Sequence, residues 1–278
     1  MTTEAAPQPT ELLAELLEDL GRLPPSRGAA LRVVQVIDDP SAGAVQVAEA
    51  ASLDPALTAR LLQLANSAYY GLSGRVRTAA FAVTVVGMQT VRSLAVLSAA
   101  GVRRGDDVPP GFWRGSAAAA VAAAMVAPGV GVPAPDAFCA GMLHDLGTAL
   151  LWRRDPVGHG ELMARATSAR PVEAAEMQVY GGTHATLCAD VLLQWHLPED
   201  MCSAIGLHHE WPSRTAPPLR RALQGGLALA ALVDGAGHVS EAWARAGLVS
   251  CGLPTAQVPG LLARVVEARD QLAGALTV

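Results

Sequence analysis

The sequence predicts an all-α protein, and three observations predict it. Apolar residues make up 51% of the 278 but aromatic ones only 4%, so a large core must be built mainly from Ala, Leu and Val, with few strand-favouring rings. Apolar positions recur at three- and four-residue spacing, as at Leu57, Leu61, Leu64 and Ala65. Helix-start signals recur as well, at Asp54-Pro55, Thr78, Thr183 and Pro198.

Residues 1–10 read as a disordered polar tail, after which Leu12, Leu13, Leu16, Leu17 and Leu20 form a helical stripe that Gly21 ends. The Leu23-Pro24-Pro25 turn starts the next helix. At Asp54 the carboxylate can accept from free first-turn amides, while Pro55 gives up no bond there. Asn66-Ser67 ends that helix. Tyr69-Tyr70-Gly71 then leads into a loop carrying Arg75 and Arg77, and Thr78 caps a run that Gly87 divides in two. The polar, helix-breaking residues 106–111, with Pro109-Pro110, separate an N-terminal helical subdomain (11–108) from a second one (109–212), which a helical extension (213–278) is expected to cover. In the second half Asp136 is expected to cap a helix running through His144 and Asp145. Thr183 caps one carrying His184, and Pro198, followed by Glu199 and Asp200 at the positive helix end, begins one reaching His208 and His209. At helical spacing, His184 shares a stripe with Leu187, Cys188 and Val191, and His208 and His209 share one with Met201 and Ile205, so three helices converge polar groups on one interior site.

A net charge of −5, with all 20 cations arginine, leaves no broad basic face for non-specific nucleic-acid binding. A local patch of Arg75, Arg77 and Arg92, beside a run at 78–98 that loosely resembles a helix-turn-helix, keeps nucleic acid as a third-ranked reading. Cys139, Cys188, Cys202 and Cys251 are widely spaced without a CxxC, and no signal peptide is visible, so a reduced cytoplasmic setting is expected, with the cysteines as small core residues. The uncharged stretch 116–135 is mostly alanine and broken at Pro128-Gly129, a poor membrane span.

The stretch AGMLHDLGTALL (140–151) sets His144 beside Asp145 in an apolar pattern, and adjacent imidazole and carboxylate groups can share one divalent cation. Together with LPPSRGAALRVVQVIDDP (23–40), DPALTARLLQLANSAYYG (54–71), AVTVVGMQTVRSLAV (82–96), FWRGS (112–116), His184, Trp195-His196-Leu197-Pro198 and His208-His209-Glu210, it resembles the HDOD domain, an HD-related output domain of bacterial signalling proteins. The resemblance implies an N-terminal helical bundle packed on a degenerate HD-type phosphohydrolase bundle. It also implies that active relatives, including the HD-GYP phosphodiesterases, bind metal through an upstream His, the HD pair, further histidines and a downstream Asp. Here Gly115 stands at the upstream His and Leu229-Ala230-Ala231 where Ala-Asp is expected, with Asp234 nearly one turn away. Thr148 replaces a frequent Lys, and no GYP follows Glu210. A cation on His144 and Asp145 would thus lack two of its four expected protein ligands.

Each site has two readings. His144 and Asp145 are either a ligand pair or a buried hydrogen-bonded pair that staples helices, and the second is favoured. His184, His208 and His209 are either a vestigial metal or ligand pocket or core histidines bonded to backbone or Asp145. Asn66, Tyr69 and Tyr70, with Arg75 and Arg77, either form an interaction surface or a packed helix-ending turn. Trp113, Trp152, Trp195, Trp211 and Trp243 read as core, and His159, His196 and His238 carry no hypothesis. The expectation is a stand-alone, non-catalytic signalling module without a receiver or output domain in the same chain. It would contact unidentified signalling proteins or sense a small ligand, and would use no cofactor beyond a weak or vestigial divalent metal. A metal-dependent phosphodiesterase or phosphohydrolase with an atypical ligand set is the alternative.

Overall fold

The computed structural model describes residues 25–102, 108–166, 172–234 and 240–277, so the expected tail and leucine stripe lie outside the described residues. The described residues form fifteen α-helices and no strand. The N-terminal group is α1 (Pro25–Asp38), α2 (Ala44–Ala51), α3 (Pro55–Ala65), α4 (Ala79–Val86) and α5 (Met88–Ala99). Asp54 caps α3 by accepting from the amides of Ala56 and Leu57, and the stripe of Leu57, Leu61, Leu64 and Ala65 is buried. Thr78 accepts from the Phe81 amide at the head of α4. Gly87, at φ 82°, lets α5 leave α4 at 110°.

Asn66 splices the end of α3 to the following loop. Its side-chain amide donates to the carbonyls of Leu62 and Val76 at 2.9 and 2.7 Å, and its Oδ1 accepts from the Val76 amide at 2.9 Å. Tyr69 and Tyr70 meet edge to face at 4.8 Å and pack on the core, while Arg75 and Arg77 are exposed on either side of buried Val76. Arg92 does not join them. It is 4% exposed and pairs with Asp38, because α5 is enclosed by α1 and its other neighbours from residue 90 through 97. The expected patch of Arg75, Arg77 and Arg92 is thereby corrected, and α5 keeps no free face to enter a nucleic-acid groove.

The second half comprises α6 (Phe112–Val126), α7 (Ala134–Leu143), α8 (Leu146–Arg154), α9 (Pro156–Arg165), α10 (Val172–Tyr180), α11 (His184–Gln194), α12 (Glu199–Gly206), α13 (Pro218–Asp234), α14 (Glu241–Ser250) and α15 (Val258–Thr277). Helix α6 is the axis, flanked by α7, α13 and α15. Its alanines allow this: a Cβ on Gly226 of α13 would stand 2.4 Å from the Ala123 nitrogen, so the two backbones touch. Helix α15 also reaches α3, and one continuous buried cluster joins the N-terminal helices to the later ones. No single described helix is long and apolar enough to cross a membrane.

Four expectations need correction. Helix α7 starts after Pro133 with Asp136 inside its first turn, because Pro135 already occupies an early helical position. It stops at Leu143, so His144 and Asp145 sit in the break before α8, and α12 stops at Gly206, leaving His208 and His209 in the turn beyond. Trp113, Trp195 and Trp243 are buried and Trp152 is half-buried, but Trp211 is 63% exposed: it lies past that turn, beside Pro212, where helical spacing no longer applies.

Replacing Asn66 by Ala removes three hydrogen bonds and strands the Val76 backbone. We expect a loss of about 2 kcal/mol in urea unfolding with an unchanged m-value.

Candidate functional site

The site forms where three chain breaks meet helix α10. Gly147 brings α8 onto the start of α11 so closely that a Cβ there would lie 1.9 Å from the His184 carbonyl oxygen. This contact requires a glycine after the His-Asp-Leu triplet and turns His144 and Asp145 toward α11. Thr183 caps α11 through the Thr186 amide and leaves His184 as its first helical residue. On α10, Glu173 and Glu176 are three residues apart and so share a face. Beyond α12, the Gln224 amide donates to the carbonyls of His208 and Glu210 at 3.3 and 2.7 Å, and Trp243 Nε1 donates to the Glu210 carbonyl at 3.2 Å. The loop that bears His208 and His209 is thus held by α13 and α14.

Four imidazoles converge, each with its Nδ1 already engaged. His144 Nδ1 donates to the Gly141 carbonyl at 2.8 Å and His208 Nδ1 to that of Ile205 at 2.6 Å. Glu176 accepts from His184 Nδ1 at 2.7 Å and Glu173 from His209 Nδ1 at 2.7 Å. A ring whose Nδ1 carries the proton presents an Nε2 lone pair when neutral, and this is how protein imidazoles are oriented toward metals. The remaining nitrogens do converge: His184 Nε2 stands 2.9 Å from His209 Nε2 and 3.7 Å from Asp145 Oδ1. Asp145 Oδ2 lies 4.0 Å from His144 Nε2, and Asp145 Oδ1 accepts from Thr148 at 2.7 Å.

Glu176 is the electrostatic anchor. It is wholly buried and also accepts from His159 Nε2 at 2.8 Å and from the His184 amide at 2.9 Å. Burial alone would raise its pKa, but the facing His184 charge and these hydrogen bonds hold it well below the usual carboxylate range. Burial likewise disfavours the His184 cation, yet the Glu176 carboxylate outweighs it and lifts His184 to about 9. In the metal-free protein His184 therefore donates its Nε2 proton to His209. His144 and His208 move the other way: burial holds both below the ordinary value. Burial pushes Asp145 up, but His144 and His184 pull it below the carboxylate norm.

The pocket in front of these groups encloses about 460 Å³. Its histidine side is rich in donors, and the nitrogens offered by His184, His208 and His209 lie within 4.8 Å of one another. The opposite wall is Gly115, Ala119, Ala230 and Ala231, none with a side-chain donor. Asp234 at its edge is taken by Arg269 and, at 3.3 Å, by Arg114. A divalent cation thus fits the histidine side, where the donors and their outer acceptors are in place, and does not fit the opposite wall.

The structure brings together His144, Asp145, His184, His208 and His209. It leaves Asn66, Tyr69, Tyr70, Arg75 and Arg77 on the N-terminal helices, outside this pocket. Sequence reasoning missed Glu173 and Glu176 and dismissed His159, which is fully buried. The available signal was the pair of carboxylates at helical spacing eight and eleven residues before His184.

Replacing Glu176 by Gln should cost about 3 kcal/mol, since it leaves two imidazoles facing a neutral amide. His184 titrates near 9 when folded against 6.5 ordinarily, so the stability it supplies is complete below pH 6.5 and disappears as pH rises through 9. In chelator, the melting temperature of the wild type is expected to fall over that window and that of E176Q to stay flatter. Replacing Gly147 by Ala drives a methyl group into the His184 backbone, and thermal melts should register a loss of about 3 kcal/mol.

The HDOD family model matches residues 23–211. A curated protein of Treponema pallidum (strain Nichols), itself uncharacterized, is 26% identical over 218 residues, 75% of this chain, and the match spans only 42% of that protein's length. Among solved structures, an HDOD domain protein of unknown function from Geobacter sulfurreducens aligns with a TM-score of 0.71 at 20% identity, over 96% of this chain and 98% of the other. A Marinobacter aquaeolei VT8 protein provisionally named for signal transduction gives 0.74 at 24% identity, over 94% of this chain and 61% of its own. One from Shewanella amazonensis SB2B, provisionally named a phosphohydrolase, gives 0.71 at 24%, over 96% and 98%. These structural likenesses concern the fold, and it is the match across 23–211, with the histidine cluster inside it, that identifies the chain as a member of the HDOD family.

Proposed function

We propose that this HDOD protein is a non-catalytic module of bacterial signal transduction, working in the cytoplasm through contacts with separate signalling proteins or through a small ligand in the pocket. The observation that carries this reading is the donorless wall of Gly115, Ala230 and Ala231, with Asp234 drawn off by Arg269 and Arg114. Hydrolysis of a phosphoester by an HD-type site needs metal charge on both the attacking water and the phosphoryl oxygens, and one flank of the pocket offers no group to hold it. The provisional naming of one structural neighbour for signal transduction agrees with this reading.

A metal-dependent phosphohydrolase is the second reading, favoured by the four converging imidazoles and by the neighbour provisionally named as such. A cation held there would lower the pKa of a water in an open position. Asp145 and the His144 imidazole beside it would then orient that water or take its proton. A nucleic-acid role has lost its patch with the burial of Arg92.

The deciding experiment is hydrolysis of bis(p-nitrophenyl) phosphate and of cyclic dinucleotides with added manganese or zinc. We expect no rate above the metal blank, unchanged in Asp145→Ala. Turnover by the wild type that D145A removes would overturn the proposal. A Cβ on Gly115 meets nothing within 4 Å, so the double variant Gly115→His, Ala231→Asp has room for new donors, and hydrolysis is expected to rise at least tenfold in it.

A further inference from the structure

We propose, resting on the small-ligand role given to the pocket above, that it receives an amphipathic organic cation, with an ammonium or guanidinium head between Asp145 and His144 and a hydrocarbon body against the donorless wall. The one-sided distribution of polar groups carries this. A metal ion needs donors around it, whereas an alkylammonium needs acceptors at one end and apolar surface along the rest. The histidine side supplies the acceptors. His144 Nδ1 donates to the Gly141 carbonyl, so the Nε2 of that ring is left as an acceptor when the ring is neutral. Asp145 Oδ2 stands 4.0 Å from this Nε2, too far for a hydrogen bond. One donor nitrogen about 2.9 Å from each atom bridges the gap. Phe112, Gly115, Ala119, Leu227, Ala230 and Ala231 supply the apolar surface.

Charge and one unsatisfied group narrow the ligand further. Asp145, Glu176 and Asp234 line the cavity, and Arg114 beside them already faces Asp234 and Asp270 at 3.3 Å each, so an acid would enter against carboxylates. Glu176 meets His184 at 2.7 Å while Asp145 keeps 3.7 Å from that ring, which leaves the Asp145 charge to the ligand. His159, wholly buried in the pocket lining, gives its Nε2 proton to Glu176, and its Nδ1 has no partner among the described residues. A buried acceptor without a donor is costly, and a second N–H or O–H on the ligand satisfies it. The fitting chemistry is thus an amine whose apolar body carries a second hydrogen-bond donor, within about 460 Å³.

Titration calorimetry on the full chain, stripped of metal, tests this with tyramine, in which a short apolar body joins an amine to a phenol. The comparison probes are phenethylamine, which lacks the hydroxyl, and phloretate, the same hydroxyphenyl body ending in a carboxylate. We expect tyramine to bind at one equivalent, phenethylamine about fivefold more weakly, and phloretate at least about tenfold more weakly. Asp145→Asn keeps the side-chain shape and removes the charge, and it should lose at least about tenfold in tyramine affinity, with a thermal melt to show that it is folded. No heat from either amine at millimolar concentration, phloretate binding as tightly as tyramine, or full tyramine affinity in D145N would overturn the inference. Parity of phenethylamine with tyramine would overturn its His159 arm. Turnover in the phosphodiester assay would remove the non-catalytic role and leave these binding results standing, so the two fail separately.

Discussion

The contact between Glu176 and its two histidines organises the second half of the molecule. One buried carboxylate joins α9 through His159, α11 through the His184 ring and amide, and its own helix α10. An isolated buried carboxylate would be costly, and this one persists because three donors surround it. Once it is fixed, the His184 ring can turn only so that Nε2 faces His209, and His209 is steadied in turn by Glu173. Helices α8, α10, α11 and the loop after α12 therefore meet at one polar centre inside an otherwise apolar assembly of alanine and leucine.

That centre is lopsided. The side formed by His184 and the turns bearing His144, His208 and His209 holds the donors together with their outer acceptors, whereas helices α6 and α13 line the pocket with glycine and alanine. Elsewhere on the same two helices small residues serve packing, letting α6 and α13 approach to backbone contact at Ala123 and Gly226.

The fold was largely legible because helix punctuation is local chemistry: Asp54-Pro55, Thr78, Gly87 and Thr183 each act within a few residues, and each appears where the sequence implies. The convergence of His144, Asp145, His184, His208 and His209 could be read as well, since HD-type spacing is specific. Helix ends at Leu143 and Gly206 were not legible, because the apolar pattern runs on through both breaks and the stops are imposed by contacts across the site. Arg92 was misread for a related reason: sequence marks it as a cation, but only the neighbour Asp38, 54 residues away, makes burial tolerable. Glu176 stayed invisible because its partners lie on other helices, and nothing local distinguishes it from a solvated glutamate.

The clamp on the histidine loop comes from Gln224 and Trp243, both beyond residue 211, where the family match ends. The recognisable unit of inheritance is therefore shorter than the working unit. A graft of the matched residues onto another chain would export the imidazoles and their Nδ1 partners, but leave behind the Gln224 and Trp243 side chains that hold the loop bearing His208 and His209.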